Sequence, residues 1–226
     1  MTTPQCTVRC LTSVGDDPVA DAFVFDAPDL DPALAAVVVL TTAGEARAEA
    51  LLAAGAACVL IGEAALLDST LVERLAARHG SARIGVYVPA RRLESQWSFD
   101  TTSNADFRVV TPSVCEPTWE VLRADGGGTG ALAGWWIGEM VKRGASLALV
   151  GADIRDDADL NICAGLVEDW GERLWIGPLD DPAPRLDEWT AYGQARQLVL
   201  PADQFQRYQQ HRLAAQAVGD ELAEAA

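Results

Sequence analysis

Lysine is almost missing from this chain of 226 residues: Lys142 stands alone among its 17 basic residues. It is read near the end of a helix outside the core, so a Schiff-base mechanism on a strand-end lysine is not expected. Histidine is nearly as scarce. His79 and His211 fall at a helix end and in the C-terminal tail, so neither a histidine acid–base pair nor a histidine-held metal is expected. No run approaches the roughly 20 apolar residues of a membrane span. The first residues lack the basic segment and apolar run of a secretory leader. There is no CxxC pair and no glycine-rich phosphate fingerprint of the dinucleotide or P-loop kind. The five cysteines, Cys6, Cys10, Cys58, Cys115 and Cys163, are odd in number and scattered. That fits reduced thiols in a cytoplasm better than a disulfide framework.

What the chain does have is apolar residues and acid. Half of its residues are hydrophobic, and its net charge is −16. The first is enough for one sizeable core. The second argues against nucleic acid or an anionic membrane as partner. A pattern then repeats: a helical stretch, a glycine, a short apolar run. It occurs as ALLAAG before AACVLIG, ERLAARHG before SARIGVYV, GEMVKRG before ASLALVG, and LVEDWG before ERLWIG. Each glycine suits the left-handed residue that ends a helix. Each run is apolar on consecutive residues, as in parallel strands covered on both faces. With TVRCL (7–11), AFVFD (22–26), AVVVL (36–40) and QLVLP (197–201) the count is eight strands. This predicts a single α/β domain, a (β/α)₈ barrel, with a doubly wound open sheet as the competing layout.

Three features depart from a regular barrel. The link between Leu11 and Ala22 is too short for a full helix, so the first outer helix is expected to be reduced or missing. Leu30 to Leu34 is likewise short. By contrast, about 92–128 is long, and its runs WSF, FRVV and TWEVL predict a β-hairpin insertion after the fifth strand, on the face where barrels place their sites. A helix from about Gly130 to Arg143 should follow, and a C-terminal helix over about 203–222.

Three segments carry a family likeness: TGALAGWWIGEMVKRGA (129–145), ALLAAGAACVLIGEAALLDSTLVERLAARHG (50–80) and CLTSV (10–14). They resemble the histidine-biosynthesis barrel family, the cyclase subunit of imidazole glycerol phosphate synthase and the phosphoribosylformimino isomerase. The resemblance implies a (β/α)₈ barrel with two aspartates, at the ends of the first and fifth strands, acting as general acid and base. Those positions hold Thr12 and Pro89 here. A hydroxyl is far too weak an acid for proton exchange near neutral pH, and proline does not ionise. The resemblance also implies phosphate sites at glycine-rich ends of the third and seventh strands, supported by the fourth and eighth. Here those ends read Leu40-Thr41, Gly177-Pro178-Leu179-Asp180, Gly62-Glu63 and Pro201-Ala202-Asp203. Glu63 or Asp180 facing a phosphate dianion costs several kcal/mol. Arg155 and Asp156 keep identity with the family's sixth-strand loop, and Thr129 and Gly130 with its Thr-Gly, which a helix cap and turn also explain.

The candidate catalytic acids are therefore Asp156, Asp26 and Glu63, and the candidate binding residues are Thr129, Gly130, Arg155, Gly177 and Asp180. Asp153 also stands at a strand end. These carboxylates read either as a solvated acidic rim or as a repurposed site, holding a raised-pKa acid or a divalent cation on oxygen ligands. Cys115 has no neighbouring histidine to make it a nucleophile. No cofactor is implied. Seven tryptophans are many for this length. Trp135 and Trp136 are adjacent on one helix, so at least one should be exposed, as an apolar surface for a homo- or hetero-oligomer. The function expected is a degenerate barrel that no longer runs the family reaction. It would act as a partner or host a phosphate-independent site. The alternative is an active isomerase or cyclase on an aminoimidazole carboxamide ribotide.

Overall fold

A computed structural model describes residues 6–13, 16, 19–93, 98–104, 107–113 and 117–224. Eight parallel strands close into a barrel: β1 (Thr7–Thr12), β2 (Phe23–Phe25), β3 (Val37–Leu40), β4 (Val59–Ile61), β5 (Ile84–Arg92), β10 (Leu147–Gly151), β11 (Leu174–Gly177) and β12 (Gln197–Pro201). Closure comes from β5 pairing β10, with Gly85 opposite Leu147 and Pro89 opposite Gly151, and from β1 pairing β12. The helices are α1 (Glu45–Ala53), α2 (Glu63–Leu67), α3 (Thr70–His79), α4 (Ala133–Lys142), α5 (Asp157–Trp170), α6 (Leu186–Ala191) and α7 (Ala202–Glu224). Among the described residues no helix joins β1 to β2, and β2 reaches β3 through a single 3₁₀ turn at Pro32–Leu34.

The consecutive apolar runs have two burial partners. Val37 and Val39 meet Phe23, Leu60, Leu149, Trp175 and Val199 in the barrel interior. Val38 and Leu40 join the larger layer shared with the helices. Alternate residues of a strand face opposite sides, so a strand wrapped on both sides must be apolar throughout. Gly80 (φ +86°) and Gly144 (φ +103°) end α3 and α4 in a conformation that L side chains rarely adopt.

The insertion is more elaborate than one hairpin. Strands β6 (Ser98–Asn104) and β7 (Phe107–Ser113) pair antiparallel by themselves. A second hairpin, β8 (Trp119–Leu122) and β9 (Gly128–Leu132), is built onto the end of β5. This corrects the helix expected from Gly130: it starts at Ala133, and Gly128–Leu132 is a strand. The segment finds a ladder partner in β8, and Gly130 takes φ +73°, which a helix does not accommodate. Trp97 and Cys115 lie outside the described residues.

Candidate functional site

β5 is nine residues long, more than the barrel needs. Gly85–Pro89 pair with β10, and beyond the rim Ala90–Arg92 pair with β8. The strand thus carries Arg91 and Arg92 out over the mouth. Arg91 Nε donates to Glu120 Oε1 at 3.0 Å, and Glu120 is 6% exposed. Gly128, the last of the triple glycine, serves this contact. A Cβ on Gly128 would stand 2.4 Å from Glu120 Oε2, so only glycine lets the carboxylate lie against the backbone. Trp119 is wholly buried, and its indole N–H donates to Asp159 Oδ1 at 3.0 Å. Asp159 Oδ2 accepts the Arg155 N–H at 3.1 Å, which latches the hairpin to the start of α5.

Between this wall and the barrel rim lies a cavity of about 850 Å³, lined by Arg91, Arg92, Arg123 and Arg155 together with Glu63, Asp125, Asp153, Asp159 and Asp180. A second cavity of about 340 Å³ opens over the barrel interior, floored by Leu11, Phe25, Tyr87, Leu149 and Val199. Tyr87 and Leu179 line both. Burial pushes the Tyr87 hydroxyl up to about 12, with the Asp180 charge adding to it, so the phenol stays protonated at neutral pH.

The candidate acids fare unequally. Asp26 lines neither cavity: Arg47 of α1 holds both its oxygens, with Nη2 on Oδ1 at 2.6 Å and Nε on Oδ2 at 3.0 Å. Asp156 also stands outside both. It caps α5 through the Ala158 and Asp159 N–H groups and pairs with Arg92. The Arg92 guanidinium, helped by those N–H groups, holds its carboxyl below the ordinary range. Asp153 reaches the cavity but is bound from within. Its Oδ1 accepts the N–H groups of Leu179, Asp180 and Asp181 at 3.0, 2.9 and 2.9 Å, and Arg155 Nη2 reaches Oδ2 at 3.1 Å. Burial pushes this carboxyl up, but the three N–H groups and Arg155 outweigh it and hold it below its ordinary value. Glu63 and Asp180 face the same cavity and make no ion pair or side-chain hydrogen bond among the described residues.

The binding candidates divide similarly. Arg155 and Asp180 line the larger cavity and Gly177 the smaller. Thr129 and Gly130 line neither. The Thr129 hydroxyl donates to the Val121 carbonyl at 2.7 Å, and the Gly130 N–H donates to Glu120 Oε2 at 3.3 Å, so both are hairpin structure. Of the two positions where the resemblance places acids, Pro89 lines the larger cavity, whereas buried Thr12 turns its hydroxyl to the Phe23 carbonyl at 3.4 Å. Gly177 has a steric reason to be glycine, since an added Cβ would meet the Val199 carbonyl oxygen at 2.5 Å. Gly177→Ala should therefore destabilise the fold by about 1–3 kcal/mol; urea unfolding with an unchanged midpoint would refute the contact.

Sequence reasoning passed over Tyr87, Arg92, Arg123 and Asp159. The available signal was the Arg91-Arg92 doublet ending an apolar strand in a chain poor in basic residues. Burial pushes the thiols of Cys58 and Cys163 up to about 12 and Cys6 up to about 11, so none of these is a thiolate nucleophile near neutral pH. Among the described residues no group of three His, Cys, Asp or Glu side chains is placed to share a metal ion, and no helix is long and apolar enough to cross a membrane.

The depressed carboxyls set an acid limit. Asp153 and Asp156 both lie below their ordinary 3.8 in the folded protein, so the unfolded chain binds more protons as the pH falls through that range. Their contribution is complete above the unfolded value and is lost as pH falls toward the folded one. Melting temperature should hold from about pH 7 to about pH 5 and drop below about pH 4. A rise on acidification from about pH 5 to about pH 3 would contradict these assignments.

No family model matches the chain, and no curated protein matches it.

Proposed function

We propose that this chain is a divergent barrel of the histidine-biosynthesis type. It has given up the proton-shuttling reaction and uses its mouth for binding without a phosphate anchor. One observation carries the reading: the Leu179–Asp181 N–H groups are bonded to Asp153. Backbone N–H groups converging in a loop are what a phosphate uses. Here an internal carboxylate takes them, and a dianion brought to the same place meets that charge at close range. Thr12 and Pro89 support the reading because neither can trade a proton near neutral pH. Asp26 and Asp156 support it because each is engaged by an arginine, Arg47 and Arg92, and neither lines a cavity at the mouth.

The test is incubation with the bisphosphorylated aminoimidazole carboxamide ribotide substrates while following ultraviolet absorbance. No absorbance change is expected, and turnover would overturn the reading. The second reading, an active isomerase or cyclase, draws on Glu63 and Asp180, whose carboxylates face one cavity. Turnover abolished by Glu63→Gln would establish it.

The same reading leaves room for a partner subunit. Trp135 is 60% exposed and Leu132 is 42% exposed, while Trp136 is buried. An exposed tryptophan beside an exposed leucine is an apolar contact surface. Sedimentation of the wild type against Trp135→Ser tests it, with a shift toward monomer expected in the variant. The reduced thiols fit a cytoplasmic protein.

A further inference from the structure

We infer that the mouth is a receptor site for a small zwitterion of the α-amino-acid kind, with an apolar or aromatic side chain; this rests on the reading of the mouth as a binding site. Three observations converge on it. The first is a pair of opposite charges, Arg155 and Asp180, lining one cavity. Arg155 Nη2 and the Asp180 N–H both bond the Asp153 carboxylate, at 3.1 and 2.9 Å. Asp153 therefore ties the Arg155 guanidinium to the loop that carries Asp180, and both side chains line the larger cavity. The Asp153 contact occupies one edge of Arg155, which is 75% exposed, and a guanidinium has five N–H donors in all. The remaining edge suits a planar carboxylate, and Asp180 suits an ammonium beside it.

The second observation is the balance of charge. The larger cavity holds four arginines and five carboxylates. A dianion such as phosphate meets net repulsion there, while a molecule of no net charge can satisfy both signs without that penalty.

The third is the step from the charged lobe to one with an apolar floor. Leu179 and Tyr87 line both cavities, and Leu179 precedes Asp180 directly. A ligand whose head lies between Arg155 and Asp180 can pass its side chain over Leu179 into the second lobe. That lobe, about 340 Å³, offers Leu11, Phe25, Leu149 and Val199 as an apolar floor, with Ser13, Asp16 and Asp203 also in its lining. The Phe25 and Tyr87 rings stand edge to face there, 5.9 Å apart, a geometry that can accept a further ring.

The test is calorimetry and thermal shift on the full chain with L-phenylalanine and L-leucine. Phenylpropanoate lacks the ammonium, phenethylamine lacks the carboxylate, and inorganic phosphate serves as the competing anion. Both amino acids should bind and raise the melting temperature. Each analogue lacking one charge should bind about tenfold or more weakly. Arg155→Gln and Asp180→Asn should each cost about tenfold in affinity for the amino acids. Both side chains are exposed, and the unliganded melting temperature of each variant verifies its fold. Failure of both amino acids to bind at millimolar concentration, equal binding of the truncated analogues, or preference for phosphate each overturns the inference. Absent amino-acid binding with absent ribotide turnover removes this inference alone. Ribotide turnover removes the functional reading itself.

Discussion

Asp153→Ala is expected to lower the melting temperature by on the order of 10 °C. The carboxylate is the shared acceptor for three backbone N–H groups from the loop after β11, and its side chain is 9% exposed. Alanine leaves these three donors without the acceptor they share. Removing one partner of a buried, charged hydrogen-bonded set costs about 3–5 kcal/mol. For a chain of this size each kcal/mol is about 2–4 °C of melting temperature. Asp153→Asn keeps an acceptor oxygen but loses the charge, so roughly half of the loss is expected. A second measurement separates this cause from a general packing defect. Converging N–H groups with no internal acceptor form an anion site, so millimolar phosphate should restore part of the melting temperature of Asp153→Ala and do little for the wild type. Equal melting temperatures for Asp153→Ala and wild type, or no difference in their response to phosphate, would show that the loop is held by other contacts.

The second large effect belongs to Trp119. Its ring is wholly buried, it sits opposite Arg92 in the antiparallel ladder, and it holds the extra hairpin to the barrel. Trp119→Ala removes a large apolar surface and leaves a cavity, with an expected loss of about 3–5 kcal/mol. It also takes one partner from Asp159, itself 2% exposed. Trp119→Phe keeps most of the ring contact and loses only the indole N–H bond to Asp159, for about 1–2 kcal/mol. Urea unfolding of the pair separates the two contributions. If phenylalanine costs as much as alanine, the hydrogen bond dominates; if neither moves the midpoint, the hairpin is not tied to the barrel through this residue. Because the hairpin forms one wall of the larger cavity, any ligand of the mouth should also bind Trp119→Ala less well.

Asp26 and Asp159 show how differently sequence and structure reveal a site. That Thr12 and Pro89 cannot act as an acid–base pair is plain from residue type. That Asp26 is engaged by Arg47 is not, because the two lie 21 positions apart and meet only where β2 and α1 become neighbours. Trp119 and Asp159 are 40 apart. Their contact depends on β8 folding back over the mouth, which no local pattern announces. The start of α4 at Ala133, and not at Gly130, has the same kind of cause. Residues 128–132 carry no strong strand periodicity, and it is the ladder with β8 and the Glu120 carboxylate that draws them into a strand.

By itself the order of residues determined eight buried parallel strands alternating with helices, and the β5–β10 and β1–β12 pairings closed them into a barrel. Apolar runs with no polar alternation must be covered on both sides, and glycines that end helices mark where each strand begins. It also determined which chemistries have no side chain to perform them. Only the tertiary structure decided which charges at the mouth are spent and which are free. A carboxylate's availability depends on donors brought to within about 3 Å by remote segments, and spacing along the chain does not encode that distance.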